Sequence, residues 1–387
     1  MSSSLIDIVI PVYRDVEGTR RCIESVLSSK DPSLGQVIII NDASPEDAMS
    51  ACLSAFGGNK EIKLVEHATN FGFVASVNEG INYAADRDVV ILNSDTEVPS
   101  GWLDRLKSAA EANPKAASIT PFSNNATICS YPHFCTENPL IEGFDLETLD
   151  ALVSHSNRGV TVEVPTGVGF CMFMRRAAID EIGLFDEEAF GRGYGEENDW
   201  CLRASAKGWH HLLCADLFVY HAGGASFGEG AKTYQQRALE VISTRYPDYE
   251  QTIAQFVEQD PAEPVRHAID LDRARQGFSD QVLAEYRQRT LEERSNRYAL
   301  DRARHQQVQT LERLLADARE HVTEEGRRYK AILAEVREEA GQRDQQYAVR
   351  IKDMARDYNH LADEYERVNK LWFVRLWRRL TGQRSGR

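Results

Sequence analysis

The sequence predicts an α/β domain built on a parallel sheet, followed by a long α-helical coiled coil. Three apolar runs, DIVIPVY, QVIIINDAS and DVVILNSD, have the composition of buried strands and alternate with stretches of helical periodicity. Residues 268–370 lack proline and repeat apolar residues at steps of three and four. We therefore predict a globular domain at 1–250, a linker at 251–267, a coiled coil at 268–370 and a tail at 371–387.

The composition limits the class of protein. A hydrophobic fraction of 42% in 387 residues supports a substantial core, and the net charge of -15 argues against nucleic-acid binding. Seven cysteines include no CxxC pair, so neither a disulfide framework nor a structural zinc site is indicated. The chain shows no signal peptide and no run of 18 apolar residues, so we expect a cytoplasmic protein that is soluble or peripheral to the membrane.

The C-terminal part has two predicted interaction surfaces. The apolar stripe of the coiled coil favours homo-oligomerisation over a single exposed helix, without fixing the number of strands. The segment KLWFVRLWRRL can place arginines on one helical face and Trp372, Phe373 and Trp377 on the other, which suits an anionic membrane surface. The alternative for this tail is packing against the protein, or no fixed structure.

Polar side chains follow the three predicted strands where each one ends: Tyr13-Arg14, Asn41-Asp42 and Asn93-Ser94-Asp95. Ligands of open α/β sheets bind at this edge. For Asp42 the local alternative is a helix cap or turn. Ser100 is the better cap for the helix that follows Asp95, which leaves Asp95 available as a ligand for Mg²⁺ or Mn²⁺.

Further polar groups lie downstream. Gly72 precedes a predicted helix and would permit close approach of a diphosphate. The motif GYGEENDW opens another helix with Glu196, Glu197 and Asp199, where acids are favoured by the helix dipole and a general base would stay ionised. His221 follows an apolar strand, where a structural role is the alternative to metal binding.

In their order and spacing, seven segments resemble glycosyltransferase family 2, a group of inverting nucleotide-sugar transferases with the GT-A fold: DIVIPVYR, VIIINDAS, NFGFVASVN, VILNSDTEVPSGWL, TGVGFCMFMRRAAIDEIGLFDEEAF, GYGEENDWCLRA and VYHAGGASFG. The resemblance covers about residues 5–230 and implies a Rossmann-like, mixed, mostly parallel sheet flanked by helices. It also implies a donor site, a metal site and a catalytic base. The donor-site residues would be Pro11, Val12, Tyr13, Asp42, Asn70, Gly72, Asn93, Ser94 and Gly167; the metal ligands would be Asp95 and His221; the base would be Glu197, with Glu196 or Asp199 as alternatives.

The resemblance implies transfer of a hexosyl or deoxyhexosyl group from a UDP- or dTDP-sugar to a glycan or lipid-linked glycan during synthesis of a surface polysaccharide of O-antigen or capsule type. Asn93 stands where the family usually has the first aspartate of its Asp-x-Asp motif, so it brings no charge to the metal. A non-catalytic nucleotide-sugar-binding assembly protein is the main alternative. A nucleotidyltransferase is a weaker one, because PVYRDVEG is a poor phosphate loop.

Overall fold

The computed structural model describes residues 5–223, 231–285, 287, 306, 313, 319–320, 323–334, 352, 355–357, 359–361, 363–364 and 366–367. The chain divides into two compact units, Met1–Arg289 and Thr290–Arg387. The described residues of the second unit are helical, including the stretch 323–334. Most of the predicted coiled coil and all of the predicted tail at 371–387 lie outside the described residues, so both stay predictions.

The first unit contains a mixed sheet between helices, as predicted. Strands β1 (Ile6–Val12), β2 (Leu34–Asn41), β3 (Ile62–Glu66) and β4 (Asp88–Leu92) run parallel in the order β3-β2-β1-β4. These strands include the three apolar runs of the sequence. The remaining strands are β5 (Thr96–Glu97), β6 (Ala116–Ser123), β7 (Thr161–Val164), β8 (Cys171–Met174) and β9 (His210–His221).

The second half of the sheet mixes strand directions. Strand β8 pairs antiparallel with both β4 and β6, whereas β6 and β9 are parallel. Strands β5 and β7 pair antiparallel with β9. The described order is therefore β3-β2-β1-β4-β8-β6-β9-β5, with β7 also on β9.

Helices cover both faces of the sheet and bury two apolar clusters. Ile6, Ile8 and Ile10 of β1 face one cluster, while Val9 faces the other, because successive side chains of a strand point to opposite sides. The helices are α1 (Val16–Ser28), α2 (Asp47–Ser54), α3 (Phe73–Tyr83), α4 (Trp102–Ala112), α5 (Leu146–Asn157), α6 (Arg176–Ile182), α7 (Glu187–Phe190), α8 (Glu196–Ser205), α9 (Ala231–Arg245), α10 (Tyr249–Gln259) and α11 (Glu263–Arg273). The unit also has a short 3₁₀ turn at Thr127–Cys129 and a π-helical turn at Ala274–Phe278, and residues 279–285 are helical.

The segment predicted as a linker is instead helical and belongs to the first unit. Helices α10 and α11 occupy most of 251–267, and Val265 and Ile269 of α11 are buried in the main apolar cluster. Pro264 lies in the first turn of α11, where a missing N–H breaks no helical hydrogen bond. The predicted start of the coiled coil at 268 was wrong for the same reason, because these residues pack on the α/β unit.

The predicted cap at Ser100 is also not formed. Gly101 occupies the N-cap of α4, and Ser100 instead contacts the carboxylate of Glu147. The first turn of α4 is stabilised by Asp31, whose Oδ2 accepts hydrogen bonds from the N–H groups of Leu103 and Asp104. A carboxylate about 70 residues earlier in the chain thus does what Ser100 was expected to do.

Within the described parts of the chain, no helix combines the length and the apolar composition needed to cross a membrane.

Candidate functional site

A turn and one strand pairing bring Asp95 to His221. The N–H of Thr96 donates to the carbonyl of Asn93 at 3.2 Å, closing a turn directly after β4. The chain then enters β5, where Thr96 is paired with His221 at the end of β9. Because the turn is tied to β9 by this register, the carboxylate that ends one strand meets the imidazole that ends another.

The Asp95 carboxylate and the His221 ring form a buried pair. Nε2 of His221 lies 3.4 Å from Oδ1 of Asp95, and the two side chains are 14% and 5% exposed. Oδ2 of Asp95 accepts a hydrogen bond from the N–H of Gly223 at 3.1 Å, whereas Oδ1 is buried without a hydrogen-bond partner. An acceptor left without a donor in the interior is costly, so this oxygen is suited to receive a cation.

The ring of His221 is held in one orientation. Its Nδ1 lies 2.7 Å from the carbonyl oxygen of Asn125, which can only accept, so Nδ1 carries the proton. Asn124 bonds both the N–H and the carbonyl of His221, and Phe170 stacks on the ring at 5.0 Å. When the ring is neutral, its Nε2 lone pair points at the space beside Asp95, which is the arrangement common to metal-ligating histidines.

Asp95 and His221 each favour the charged form of the other. Burial raises the pKa of Asp95, but its contacts with His221 outweigh burial and lower that pKa overall. Burial lowers the pKa of His221, and the neighbouring carboxylate raises it above the ordinary value. The carboxylate is therefore ionised at neutral pH.

The residues of this pair fit a divalent cation supplied with further ligands by a bound molecule. The described residues contain no cluster of three or more His, Cys, Asp or Glu that could enclose a metal by themselves. Mg²⁺ and Mn²⁺ commonly take one or two protein ligands and fill the rest of the octahedron with phosphate oxygens and water. The amide nitrogen of Asn93 lies 3.5 Å from Nε2 of His221, so Asn93 borders the pair without adding charge.

The three acids of α8 have different environments. Both carboxylate oxygens of Asp199 are hydrogen-bonded to other side chains of the fold. Its Oδ2 accepts from Arg203 at 2.8 Å, and its Oδ1 accepts from Arg245 and from the hydroxyl of Tyr246, both at 2.9 Å. The side chain is fully buried. A carboxylate with both oxygens occupied in this way is poorly suited to take a proton from a substrate.

Glu196 and Glu197 each keep a buried oxygen without a partner. The Oε2 atoms of both residues are inaccessible to solvent and receive no hydrogen bond. Burial and the charge of Glu197 raise the pKa of Glu196 well above the ordinary value, and burial raises the pKa of Glu197. Because burial and the neighbouring charge act together on Glu196, it is the harder of the two to ionise.

A two-residue segment links the acid pair to the Asp95–His221 pair. A Cβ added at Gly169 would lie 3.8 Å from Cγ of Glu197, so the Glu197 side chain lies against this backbone. The next residue, Phe170, stacks on His221 and accepts the N–H of Asn93 through its carbonyl at 2.8 Å. The stretch that contains Phe170 was among the segments that resemble the family, whereas the sequence offered no signal for the roles of Asn124 and Asn125.

The predicted donor-site residues lie along the same ends of the strands, with different environments. Pro11 and Val12 are buried in β1, with Val12 in the apolar core, whereas Tyr13 is partly exposed. Asn70 keeps a buried side-chain oxygen without a partner. Ser94 is buried in the turn after β4.

Gly167 and Asp42 have structural partners of their own. A Cβ added at Gly167 would come within 2.9 Å of the Ser118 hydroxyl, so this glycine permits close packing. Asp42 accepts the N–H groups of Phe71 and Gly72, each at 2.8 Å. The roles predicted for both residues in donor binding stay predictions.

Comparison with known proteins points to one family. Residues 7–183, slightly under half of the chain, match the profile described as Glycosyl transferase family 2. Glycosyltransferase AglE of Haloferax volcanii is 23% identical over 234 residues, covering 59% of this chain and 71% of that protein. The N-acetylglucosaminyl-diphospho-decaprenol L-rhamnosyltransferase of Mycobacterium tuberculosis is 24% identical over 213 residues, covering 50% and 68%.

Other similarities cover less of the matched proteins. The poly-beta-1,6-N-acetyl-D-glucosamine synthase of Staphylococcus epidermidis is 30% identical over 115 residues, but the match spans only 27% of its length. Among solved structures, GalNAc-T7 with UDP, GalNAc and Mn²⁺ has a TM-score of 0.48 at 15% identity, covering 64% of this chain and 49% of that one. Mannosyltransferase PcManGT from Pyrobaculum calidifontis, in complex with GDP-Man and Mn²⁺, has a TM-score of 0.43 at 15% identity, covering 73% and 74%. At these scores neither structure carries weight in assigning a function. The sequence matches identify residues 7–183 as a region similar to the family 2 glycosyl transferases.

Proposed function

We propose that the chain is an inverting glycosyltransferase of family 2 with the GT-A fold. It would move a sugar from a nucleotide-diphosphate donor, a UDP- or dTDP-sugar, to a hydroxyl of a glycan or lipid-linked glycan. The observation that carries this proposal is the position of Glu197 and His221 on either side of Gly169–Phe170. This arrangement supports a cation site and a candidate base that share one two-residue segment.

Asp95 and His221 would hold a divalent cation against the diphosphate of the donor. Bound there, Mn²⁺ or Mg²⁺ would offset the negative charge that grows on the leaving nucleoside diphosphate as the anomeric C–O bond breaks. The Nδ1 bond of His221 to Asn125 fixes the ring tautomer, and the Gly223 N–H keeps Asp95 oriented so that its partnerless Oδ1 faces Nε2.

Glu197 would act as the general base and Glu196 as its protonated neighbour. Glu197 accepts the proton of the acceptor hydroxyl while the hydroxyl oxygen forms its bond to the anomeric carbon from the face opposite the leaving group. The burial that raises its pKa brings the base closer to neutral pH, where proton transfer is most effective. Displacement in a single step inverts the anomeric centre, and no covalent intermediate with the protein is required.

The acceptor context rests on the relatives and on the C-terminal segment. The decaprenol-linked substrate in the name of the mycobacterial relative favours a lipid-linked acceptor and a deoxyhexosyl donor for this chain as well. A lipid-linked acceptor lies at a membrane face, which gives the basic and aromatic tail at 371–387 a purpose. In this proposal the enzyme is cytoplasmic, touches the inner face of the membrane and oligomerises through its coiled coil while it builds a surface polysaccharide.

The test is release of nucleoside diphosphate from a panel of UDP- and dTDP-sugars, with and without Mn²⁺. We expect one donor to be turned over only with the metal, and Glu197→Gln to reduce kcat at least 100-fold, as loss of a general base does. Glu163→Gln, at an exposed acid on β7, is the matched control and should retain wild-type turnover. Nucleotide binding by calorimetry without turnover of any donor would favour the non-catalytic assembly protein instead.

A further inference from the structure

His67 directly follows β3 and lies between two carboxylates. Its Nδ1 is 2.8 Å from Oδ1 of Asp42, and its Nε2 is 2.6 Å from Oε2 of Glu79. The ring is 7% exposed, and it joins the ends of β2 and β3 to helix α3. Neither the metal pair nor the acid pair involves this residue.

The geometry determines the protonation of the ring. An ionised carboxylate only accepts hydrogen bonds, so each ring nitrogen needs its own proton to bond its carboxylate. With both nitrogens protonated, His67 is an imidazolium, and each contact is a charge-assisted hydrogen bond. Burial lowers the pKa of His67, but the hydrogen bonds to Asp42 and Glu79 outweigh it and raise that pKa above its ordinary value.

The same carboxylate of Asp42 holds the loop that leads into α3. Its Oδ1 also accepts the N–H of Phe71, and its Oδ2 accepts the N–H of Gly72. Gly72 has φ of +97°, and a Cβ there would lie 3.1 Å from the backbone of Gly191 and Arg192, so the loop packs closely against these two residues. The ring of Phe71 packs edge-on against His67 at 5.0 Å and remains 59% exposed at the surface.

We propose that the His67 imidazolium, hydrogen-bonded to Asp42 and Glu79, is a positioning residue. This three-residue clamp would hold the 70–72 loop in the conformation that binds the nucleoside diphosphate. This inference rests on the proposed function, because it assigns the loop to the donor. The charged groups that face the ring are Asp42 from the end of β2 and Glu79 from α3, and its other neighbour is the Phe71 ring.

The clamp makes the loop pH-sensitive in one direction. When pH rises through the raised pKa of His67, one ring nitrogen loses its proton and turns a lone pair toward a carboxylate. That contact becomes repulsive, Asp42 loosens, and the N–H groups of Phe71 and Gly72 lose their acceptor. The stabilisation is complete below the pKa of an unfolded histidine, about 6.5, and is lost as pH rises through the folded value.

Amide hydrogen exchange of the peptide that contains Phe71 and Gly72 tests the clamp on the full chain. After correction for intrinsic exchange rates, we expect protection at pH 6 that falls toward pH 8.5 in the wild type. His67→Gln should raise exchange at pH 6 at least 10-fold and remove the pH dependence. Glu79→Gln keeps an acceptor but removes a charge, so it should shift the midpoint down by about one pH unit. His210→Gln, which removes an exposed histidine paired with Glu163, is the control and should leave the profile unchanged.

Calorimetric titration with UDP and dTDP then tests the positioning role. We expect His67→Gln to weaken binding of the nucleotide that wild type prefers at least 10-fold, with His210→Gln at the wild-type value. Unchanged exchange in both His67→Gln and Glu79→Gln overturns the clamp. Looser exchange with unchanged nucleotide affinity overturns the positioning role. Failure of wild type to bind either nucleotide overturns the role and the proposed function together, whereas the exchange profile decides the clamp by itself.

Discussion

Oδ1 of Asp95 and Nε2 of His221 lie 3.4 Å apart although the residues are separated by 126 positions in the chain. The pairing of Thr96 with His221 across β5 and β9 sets this distance, and Asn124 and Asn125 hold the histidine from the opposite side. The pair is thus built by strand register and not by a local motif. Changes at Asp95 should therefore affect the ion more than the fold.

Asp95→Asn should abolish Mn²⁺-dependent turnover while the chain stays folded. The amide can still accept the Gly223 N–H, but it removes the charge that faces His221. We expect kcat/KM to fall at least 100-fold, and the Mn²⁺ stimulation to vanish, with Tm within a few degrees of wild type. Asn93→Asp is the informative partner, because it adds the carboxylate that the usual Asp-x-Asp motif has. It should lower the Mn²⁺ concentration needed for half-maximal activity, and no change in that concentration would show that residue 93 does not reach the ion.

The Glu196→Gln and Glu197→Gln variants should differ in how kcat/KM depends on pH. The base must be ionised, so kcat/KM of wild type should fall as pH decreases through the raised pKa of Glu197. Because the pKa of Glu196 is raised well above its ordinary value, Glu196→Gln should change the charge of the site little, and it should keep most activity with its acidic limb little changed. Glu197→Gln should lose at least 100-fold at every pH. A reversed result, with Glu196→Gln inactive and Glu197→Gln active, would assign the base to Glu196.

Glu197→Gln should also change the stability of the fold. A carboxyl whose pKa is raised on folding destabilises the folded state once pH exceeds the unfolded value, because its charge is buried. Glu197→Gln should accordingly be more stable than wild type in urea unfolding at pH 8, with the difference narrowing toward pH 5. A variant that is less stable at pH 8 would show that the ionised carboxylate has a partner in the folded protein.

The sequence predicted the sheet and singled out Asp95 and His221, which the structure places 3.4 Å apart, but it did not show which carboxylates the fold itself uses. Apolar runs that end in polar residues mark the edge of a parallel sheet, so Asp95 and His221 could be proposed before their contact was known. Asp42 fits the same pattern equally well, and Asp199 lies among the acids that open α8, so neither was distinguished from a site residue. Their partners are Arg245, and the backbone N–H groups of Phe71 and Gly72, which tertiary structure alone brings near.

Asp199 should therefore behave as a structural residue. It accepts hydrogen bonds from Arg203, Arg245 and the hydroxyl of Tyr246, and it ties α8 to the end of α9. Asp199→Ala should reduce the free energy of unfolding by about 3 kcal/mol, since removal of one partner leaves buried or partly buried charges uncompensated. In folded protein below the unfolding transition, kcat should stay within a few-fold of wild type. A drop of 100-fold without loss of stability would instead support a role in proton transfer.

The end of the first compact unit can be tested by truncation. Helix α11 buries Ile269 in the main cluster, and Asp270 accepts the hydroxyl of Tyr131 at 2.8 Å beside the fully buried Arg273. A chain that ends at residue 250 would expose this apolar surface and leave Tyr131 without its acceptor, so we expect it to aggregate. A chain that ends at residue 289 keeps α11 together with Glu285, which pairs with Arg273 at 2.7 Å. This chain should fold, bind nucleotide and run as a monomer in light scattering.

The full-length chain provides the matching test of the predicted coiled coil. If the heptad pattern beyond residue 289 drives self-association, the full chain should be a dimer or larger under conditions where the 1–289 chain is monomeric. Both chains should share the same kcat on a small soluble acceptor, because Asp95, His221 and both glutamates lie within 1–289. A monomeric full-length chain would remove the coiled coil as an oligomerisation element. An oligomeric 1–289 chain would move the contact into the α/β unit itself.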